Sequence, residues 1–163
     1  MKVYLGLGGN EKMSFSAINT AIHSIQGSSH SSVTKISNLY RSKPWGIESQ
    51  SHFLNLVIEI ETELSPANLL DYALSIEAEA GRNRANTIKW GPRILDIDIL
   101  VFGNQEIKSI ELSIPHPYIS EREFVYIPLL ECNKEIEIPG IGKLKEAVSS
   151  SHHMELITPG IEI

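Results

Sequence analysis

Phe53-Leu54-Asn55-Leu56-Val57-Ile58-Glu59-Ile60-Glu61-Thr62 is the clearest element in the chain. Its even positions, Leu54, Leu56, Ile58 and Ile60, are apolar, while Phe53, Asn55, Val57, Glu59 and Glu61 alternate with them. That period of two predicts a strand with one packed face and one mixed face. Directly after it, Ser65-Pro66 opens a helix in the favoured order, Ser as N-cap and Pro at the first helical position. Leu69, Ala73, Ile76 and Ala80 mark the buried stripe of this helix, and Gly81 ends it. Downstream, Ile94 to Phe102 reads as another strand, closed by Gly103-Asn104, with Leu95, Ile97, Ile99 and Val101 on its core face. Upstream, Val3 to Leu7 is a short strand ended by Gly8-Gly9-Asn10. A helix then buries Phe15, Ile18, Ile22 and Ile25 as far as Gly27, and Val33 to Tyr40 forms the second strand.

The resulting order, β-α-β-β-α-β, predicts an α+β fold of the ferredoxin-like, split βαβ type: an antiparallel sheet with both helices on one face. From about Gln105 an irregular C-terminal extension follows, with Ile114-Pro115-His116-Pro117, a short helix near Glu121 to Leu130 and a tail punctuated by Pro and Gly. At 163 residues the chain suits a single domain, 1–163. Hydrophobic residues make up 42% and charged residues 21%, enough apolar material for a core and too little charge for a disordered chain. The single cysteine, Cys132, excludes an intrachain disulfide and a Cys-rich zinc site. No stretch approaches the roughly 20 apolar residues of a membrane span, and the N-terminal apolar run is too short for a secretory signal. A monomer in the reducing cytoplasm, with no membrane partner, is the expectation.

With Lys+Arg 14 against Asp+Glu 20 the formal net charge is −6, which argues against a general nucleic-acid binder. The charge is unevenly spread. Arg82-Asn83-Arg84-Ala85-Asn86-Thr87-Ile88-Lys89-Trp90-Gly91-Pro92-Arg93 holds four basic residues and no acidic one. Immediately beyond it, Asp96 and Asp98 lie two apart on one strand face, with Cα atoms roughly 6.6 Å apart. Two such carboxylates repel by about 2.5 kcal/mol at an effective dielectric of 20, so a positive group belongs between them. Mg²⁺ fits, since it takes one or two carboxylates and completes its shell with water and substrate phosphates. The bland alternative is an ion pair with Arg82, Arg84 or Arg93. Basic loop and paired carboxylates together describe a metal-bound polyphosphate. No Gly-x-x-x-x-Gly-Lys-[Ser/Thr] occurs, so the chain is not a P-loop protein.

Phe53 and Asn55 share one strand face, an aromatic plate beside an amide, a pairing able to stack on and hydrogen-bond a flat heterocycle; a buried Asn serving the backbone beside a core Phe is the simpler alternative. His116, between two prolines, sits on a rigid mount. Glu77, next to the buried stripe of its helix, assists a metal site or faces solvent.

On these residues the chain resembles the 6-hydroxymethyl-7,8-dihydropterin pyrophosphokinases of folate biosynthesis. Lys89-Trp90-Gly91-Pro92-Arg93-Ile94-Leu95-Asp96-Ile97-Asp98-Ile99-Leu100 is similar to that family's signature at every defining position. Tyr4 to Asn10, Tyr40 to Gly46, Phe53 to Asn55, Glu77 with Gly81 to Arg84, Ile114 to Pro117 and Glu121 to Val125 follow in family order, with Gly9 in place of the usual Ser and Phe53 where Tyr is frequent. The resemblance implies transfer of the β,γ-pyrophosphate of ATP, the co-substrate, to the pterin hydroxymethyl oxygen. By the same resemblance Asp96 and Asp98 hold two Mg²⁺ ions while Arg82 and Arg93 neutralise phosphate charge. The pterin lies between Phe53 and Phe124, read by Asn55 and the segment Ser42, Pro44, Trp45 and Gly46. ATP is held by Glu77, Arg84, Trp90, Ser113, His116, Arg122 and the backbone near Ile99. Glu111 and Leu74 occupy places where some members carry a basic residue and a Gln.

Overall fold

The structure, a computed structural model, describes residues 1–44, 46–82, 91–149 and 153–157. The first half runs β1 (Lys2–Gly9), α1 (Ser14–Gln26), β2 (Ser31–Ile36), β3 (Leu39–Ser42), β4 (Phe53–Thr62), α2 (Pro66–Glu79) and β5 (Asp96–Phe102). The extension adds a hairpin, β6 (Ile107–Lys108) and β7 (Ser113–Ile114), then α3 (Glu123–Cys132). A second hairpin, β8 (Glu137–Ile138) and β9 (Gly142–Lys143), is followed by α4 (Leu144–Ala147) and β10 (Glu155–Ile157). The main sheet has the order β10-β3-β4-β1-β5, with β2 also paired to β4, and every ladder is antiparallel.

The alternation in β4 and the helical spacing of α1 and α2 build the first core layer. Ile18, Ile22, Ile25, Leu69, Ala73 and Ile76 pack on Val3, Leu5, Leu7, Leu56, Ile58 and Ile60. Ser65 caps α2 through its hydroxyl, which accepts the Asn68 N–H at 3.2 Å, and Pro66 stands at the first helical position. Phe15, expected in the buried stripe of α1, is exposed, because Ser14, Ala17 and Ala21 take the inward positions beside Ile18 and Ile22.

The mixed face of β4 is buried too. Val57 is fully covered and Glu59 is 2% exposed, because α3 and α4 pack on this second face and join Tyr4, Leu100 and Val101 in a separate cluster. Val101 thus lies opposite the face expected for it. Between the pairs Tyr4↔Val101 and Leu5↔Ile99 the register shifts, leaving Leu100 as an extra residue, and such a bulge reverses the phase of the strand. The expected second strand, Val33 to Tyr40, is likewise divided. Ser37 accepts the Val57 N–H on its hydroxyl at 2.9 Å and ends β2, and β3 restarts two residues on. The extension is therefore more regular than expected, and it supplies the second helical layer that closes the site.

This layering makes a measurable prediction. Leu129 on α3 is fully buried, so Leu129→Ala should cost about 2–5 kcal/mol in urea denaturation, while Phe15→Ala should stay within about 0.5 kcal/mol of the parent.

Candidate active site

The floor of the site is a strip without side chains. In the β1 register Gly6 stands opposite Asp98 and Val57, and Gly8 opposite Asp96 and Asn55, so both carboxylates of β5 face a bare stretch of backbone. Bulk is not tolerated there: a Cβ on Gly8 would come within 2.9 Å of the Asn55 side-chain oxygen and 3.1 Å of the Leu54 carbonyl. Around this strip a pocket is lined by Phe53, Asn55, Arg93, Asp96, Asp98, Arg122 and Phe124. It continues into a second hollow bounded by Ser42, Lys43, Phe53, Asn55 and Phe124. Sequence-distant candidates thus converge, and Asn55 Nδ2 donates to Ser42 Oγ at 2.8 Å.

The two aspartates are handled differently. Asp96 forms the ion pairs that the bland alternative anticipated: Arg82 Nη1 is bonded to one of its oxygens and Arg93 Nε lies 3.0 Å from the other. Arg82 also meets Glu77 Oε1 at 2.9 Å and the Leu95 carbonyl at 3.1 Å. Burial alone would lower the Arg82 pKa, but the Asp96 and Glu77 carboxylates outweigh it and raise it. Asp98 forms no ion pair or hydrogen bond among the described residues. Burial first, and then the neighbouring Asp96 charge, hold its carboxyl well above the usual carboxylate range. An acid in that state binds a dication favourably. Two carboxylates with no third Asp, Glu, His or Cys grouped with them among the described residues suit a hard ion whose remaining ligands are water and phosphate.

Glu77 meets the site from the helical side of the sheet. It is 1% exposed, and Oε1 accepts the N–H of Ile97 at 2.8 Å, which fixes the peptide between the two aspartates. Each aromatic plate carries a guanidinium. Arg93 lies 5.1 Å from the Phe53 ring centroid, and Arg122 lies 5.7 Å from that of Phe124 and 4.4 Å from that of Tyr118. His116 is tied by its N–H to the Leu100 carbonyl at 2.9 Å. Its Nδ1 accepts the Tyr118 N–H at 3.3 Å, which leaves the neutral ring its proton on Nε2. The Ile99 side chain enters the helix-covered core, so only its backbone is available to a ligand. Ser113 lies on β7, outside the residues lining this pocket. Trp45, Arg84 and Trp90 lie outside the described residues.

Asn10 is the residue that sequence reasoning passed over as part of a turn. Its N–H donates to the Arg93 carbonyl at 2.9 Å and its Oδ1 accepts the Arg93 N–H at 3.0 Å. Its Nδ2 reaches Gln50 Oε1 at 2.9 Å and the Ser51 carbonyl at 3.0 Å. One buried amide thereby holds Arg93 against the β3–β4 connection. The only signal in the sequence was an Asn after two glycines, which a tight turn explains equally well.

The pattern has known counterparts. A model of the 7,8-dihydro-6-hydroxymethylpterin-pyrophosphokinase (HPPK) family matches residues 4–134. The chain is 38% identical over 158 residues to a Haemophilus influenzae protein named 2-amino-4-hydroxy-6-hydroxymethyldihydropteridine pyrophosphokinase, covering 96% of this chain and 98% of that one. A Bacillus subtilis protein of the same name is 38% identical over 152 residues, 93% of this chain and 86% of its own. Among solved structures, a Plasmodium falciparum HPPK-DHPS crystal structure superposes with a TM-score of 0.71 at 15% identity over 90% of this chain. This chain spans 44% of that longer one, and the likeness there is one of fold. By the extent of the family match and of the relatives' identity, the chain belongs to the 7,8-dihydro-6-hydroxymethylpterin-pyrophosphokinase family.

Proposed function

We propose that this chain transfers the β,γ-pyrophosphate of ATP to the hydroxymethyl oxygen of 6-hydroxymethyl-7,8-dihydropterin and releases AMP, a step of folate biosynthesis. Family membership and the names of its relatives support the reaction. The observation that carries the site is the pair Asp96 and Asp98 facing Gly6 and Gly8 at one end of the pocket, with Phe53, Asn55 and Phe124 beside them. Asp96 and Asp98 would hold Mg²⁺, two ions in all, which supplies charge neutralisation for the polyphosphate.

The pterin stacks between Phe53 and Phe124, and the Ser42–Asn55 pair meets its hydrogen-bonding edge. The pterin hydroxyl oxygen attacks the β-phosphorus, its proton passes to solvent, and the bond from that phosphorus to the oxygen bridging the α-phosphate breaks, that oxygen leaving with AMP. Arg82, Arg93 and Arg122 bring positive charge to the transferring group, and His116 donates from Nε2 to phosphate oxygen. With that proton on Nε2, His116 acts as a donor rather than a base, so positioning and charge carry the rate. Arg93 lies over Phe53 and pairs with Asp96, so serving the phosphates requires its guanidinium to leave both.

The finer description of the fold as a ferredoxin-like split βαβ with a C-terminal elaboration is supported by the strand order β5-β1-β4 with β2 and β3 beyond it. A single domain acting as a monomer in the cytoplasm is part of the same reading. No helix among the described residues is long and apolar enough to cross a membrane.

Incubation with ATP and the hydroxymethyl pterin, followed by separation of the nucleotides, should show AMP that depends on both pterin and Mg²⁺. Pyrophosphate release in its place would indicate nucleotidyl transfer and overturn the reading. Asp96→Ala or Asp98→Ala should each lower kcat by about 100-fold or more while the circular dichroism spectrum stays that of the parent.

His116 offers a pH signature. Burial, and then the Arg122 charge, lower its pKa from 6.5 to about 4. Because the unfolded chain takes up that proton first, the stability carried by neutral His116 is complete above about pH 6.5. It is lost as pH falls through 4, to the extent of about 3 kcal/mol. Urea unfolding between pH 7 and pH 4.5 should show a flatter pH dependence for His116→Gln than for the parent, and equal slopes would refute the assignment.

A further inference from the structure

The family match ends at residue 134, yet the chain beyond it returns to the site. Strand β10 pairs antiparallel with β3, placing Glu155 opposite Arg41, Leu156 opposite Tyr40 and Ile157 opposite Leu39. An Arg41–Glu155 ion pair at 3.1 Å and the packing of Ile157 on the core anchor it. Strand β3 ends at Ser42, the residue bonded to Asn55, so β10 braces the strand from which Lys43 and Pro44 continue.

Two residues before β10 the same tail grips the opposite wall. The His153 N–H donates to Glu123 Oε2 at 2.9 Å, and His153 Nδ1 lies 3.0 Å from Glu123 Oε1. Glu123 opens α3 between Arg122 and Phe124. A hollow lined by Ser42, Pro44, Glu123, Phe124, His153 and Met154 adjoins the pterin pocket. At its far end α3 is tied to the same strand directly: Glu131 accepts the Asn38 N–H at 2.8 Å and the Tyr40 hydroxyl. Glu123 and Glu131 are eight residues apart, about 12 Å along the helix. Helix and strand are therefore fixed to each other at two points, by Glu131 itself and by Glu123 through the tail.

We propose that His153 and Glu123 are positioning residues for pterin recognition, forming a clasp that sets the distance between the Ser42–Pro44 segment and Phe124. The inference rests on assigning the pocket between Phe53 and Phe124 to the pterin. An exposed pair of this kind adds little to global stability, and His153 is 84% exposed, so its effect is local. Stacking between two walls requires their separation to be held, and a displacement of an ångström is costly there.

The test uses the full chain, with pterin varied at saturating ATP and ATP varied at saturating pterin. His153→Ala and Glu123→Gln should each raise the pterin KM about 5- to 20-fold, with kcat, the ATP KM and the urea midpoint nearly unchanged. The double variant should be no worse than the poorer single one, because both changes open one clasp. His153→Asn, whose amide can donate to Glu123, should recover most of the loss. Asn55→Ala serves as a marker of the pocket itself. If it raises the pterin KM while the clasp variants do not, the clasp is overturned and the pocket stands. Should Asn55→Ala leave the pterin KM unchanged, the pocket assignment fails and the clasp with it. Parallel losses in kcat, ATP KM and stability would reduce the tail to a structural role and overturn the proposal equally.

Discussion

Two carboxylates project from one face of β5, and the rest of the site is arranged around their charge. Asp96 and Asp98 cannot both stay ionised beside each other, partly buried, without positive charge close by. Arg82 and Arg93 answer for Asp96, and Asp98 is left to hold its proton more tightly than an ordinary acid. The backbone opposite them is glycine at both positions, so β1 sends no side chain between the pair and the Leu100 and Asn55 side chains that lie against it. Glu77 secures the peptide between them from the helical side of the sheet, which turns the local charge problem into a fixed geometry.

The same sheet face carries a third carboxylate that is treated in the opposite way. Glu59 is 2% exposed, and its oxygens accept from the Tyr4 hydroxyl at 2.8 Å and the Thr34 hydroxyl at 2.9 Å. Lys2 and Lys35 lie 3.4 and 3.6 Å away. Burial would raise its pKa, but these hydrogen bonds and cations outweigh it, and the pKa is lowered. The irregularity in β2 makes this possible, since the shift between Val33 and Lys35 turns both Thr34 and Lys35 toward Glu59. Satisfaction of all its bonding capacity makes Glu59 a fastening of the sheet. Asp98 has no such set of donors among the described residues, and burial and the Asp96 charge hold its pKa up.

What the sequence displayed follows from this contrast. The bounds of β4, the Ser65-Pro66 start of α2 and the inward stripe of both main helices were legible because each depends on contacts within a few residues. The pairing of Asp96 with Asp98 was legible because a strand repeats every two residues. The phase change at Leu100 was not, since a bulge is set by the partner strand and leaves no mark on hydrophobic spacing. Phe15 was misplaced because size suggested burial, whereas the close approach of α1 to the sheet favours Ser14, Ala17 and Ala21. Asn10, Glu77 and the tail act through hydrogen bonds to residues 83, 20 and 30 positions away, and the tail falls outside the stretch that the family pattern covers.

The contacts of Arg93 also bear on how a site with this much charge accepts a ligand. Arg93 lies over Phe53 and pairs with Asp96, so it covers both the surface proposed for the pterin and a carboxylate proposed for the metal. Stripping a guanidinium from a partly buried carboxylate is costly when nothing replaces it. Under the proposed reaction something would: a cation would stand in for the arginine at Asp96, a phosphate for Asp96 at the arginine, and the pterin ring for the guanidinium over Phe53. Each group exchanges one partner for another of like character, so the opened state contains no abandoned charge. The affinity of Arg82 and Arg93 for carboxylates is thus the same property that would draw them to phosphates.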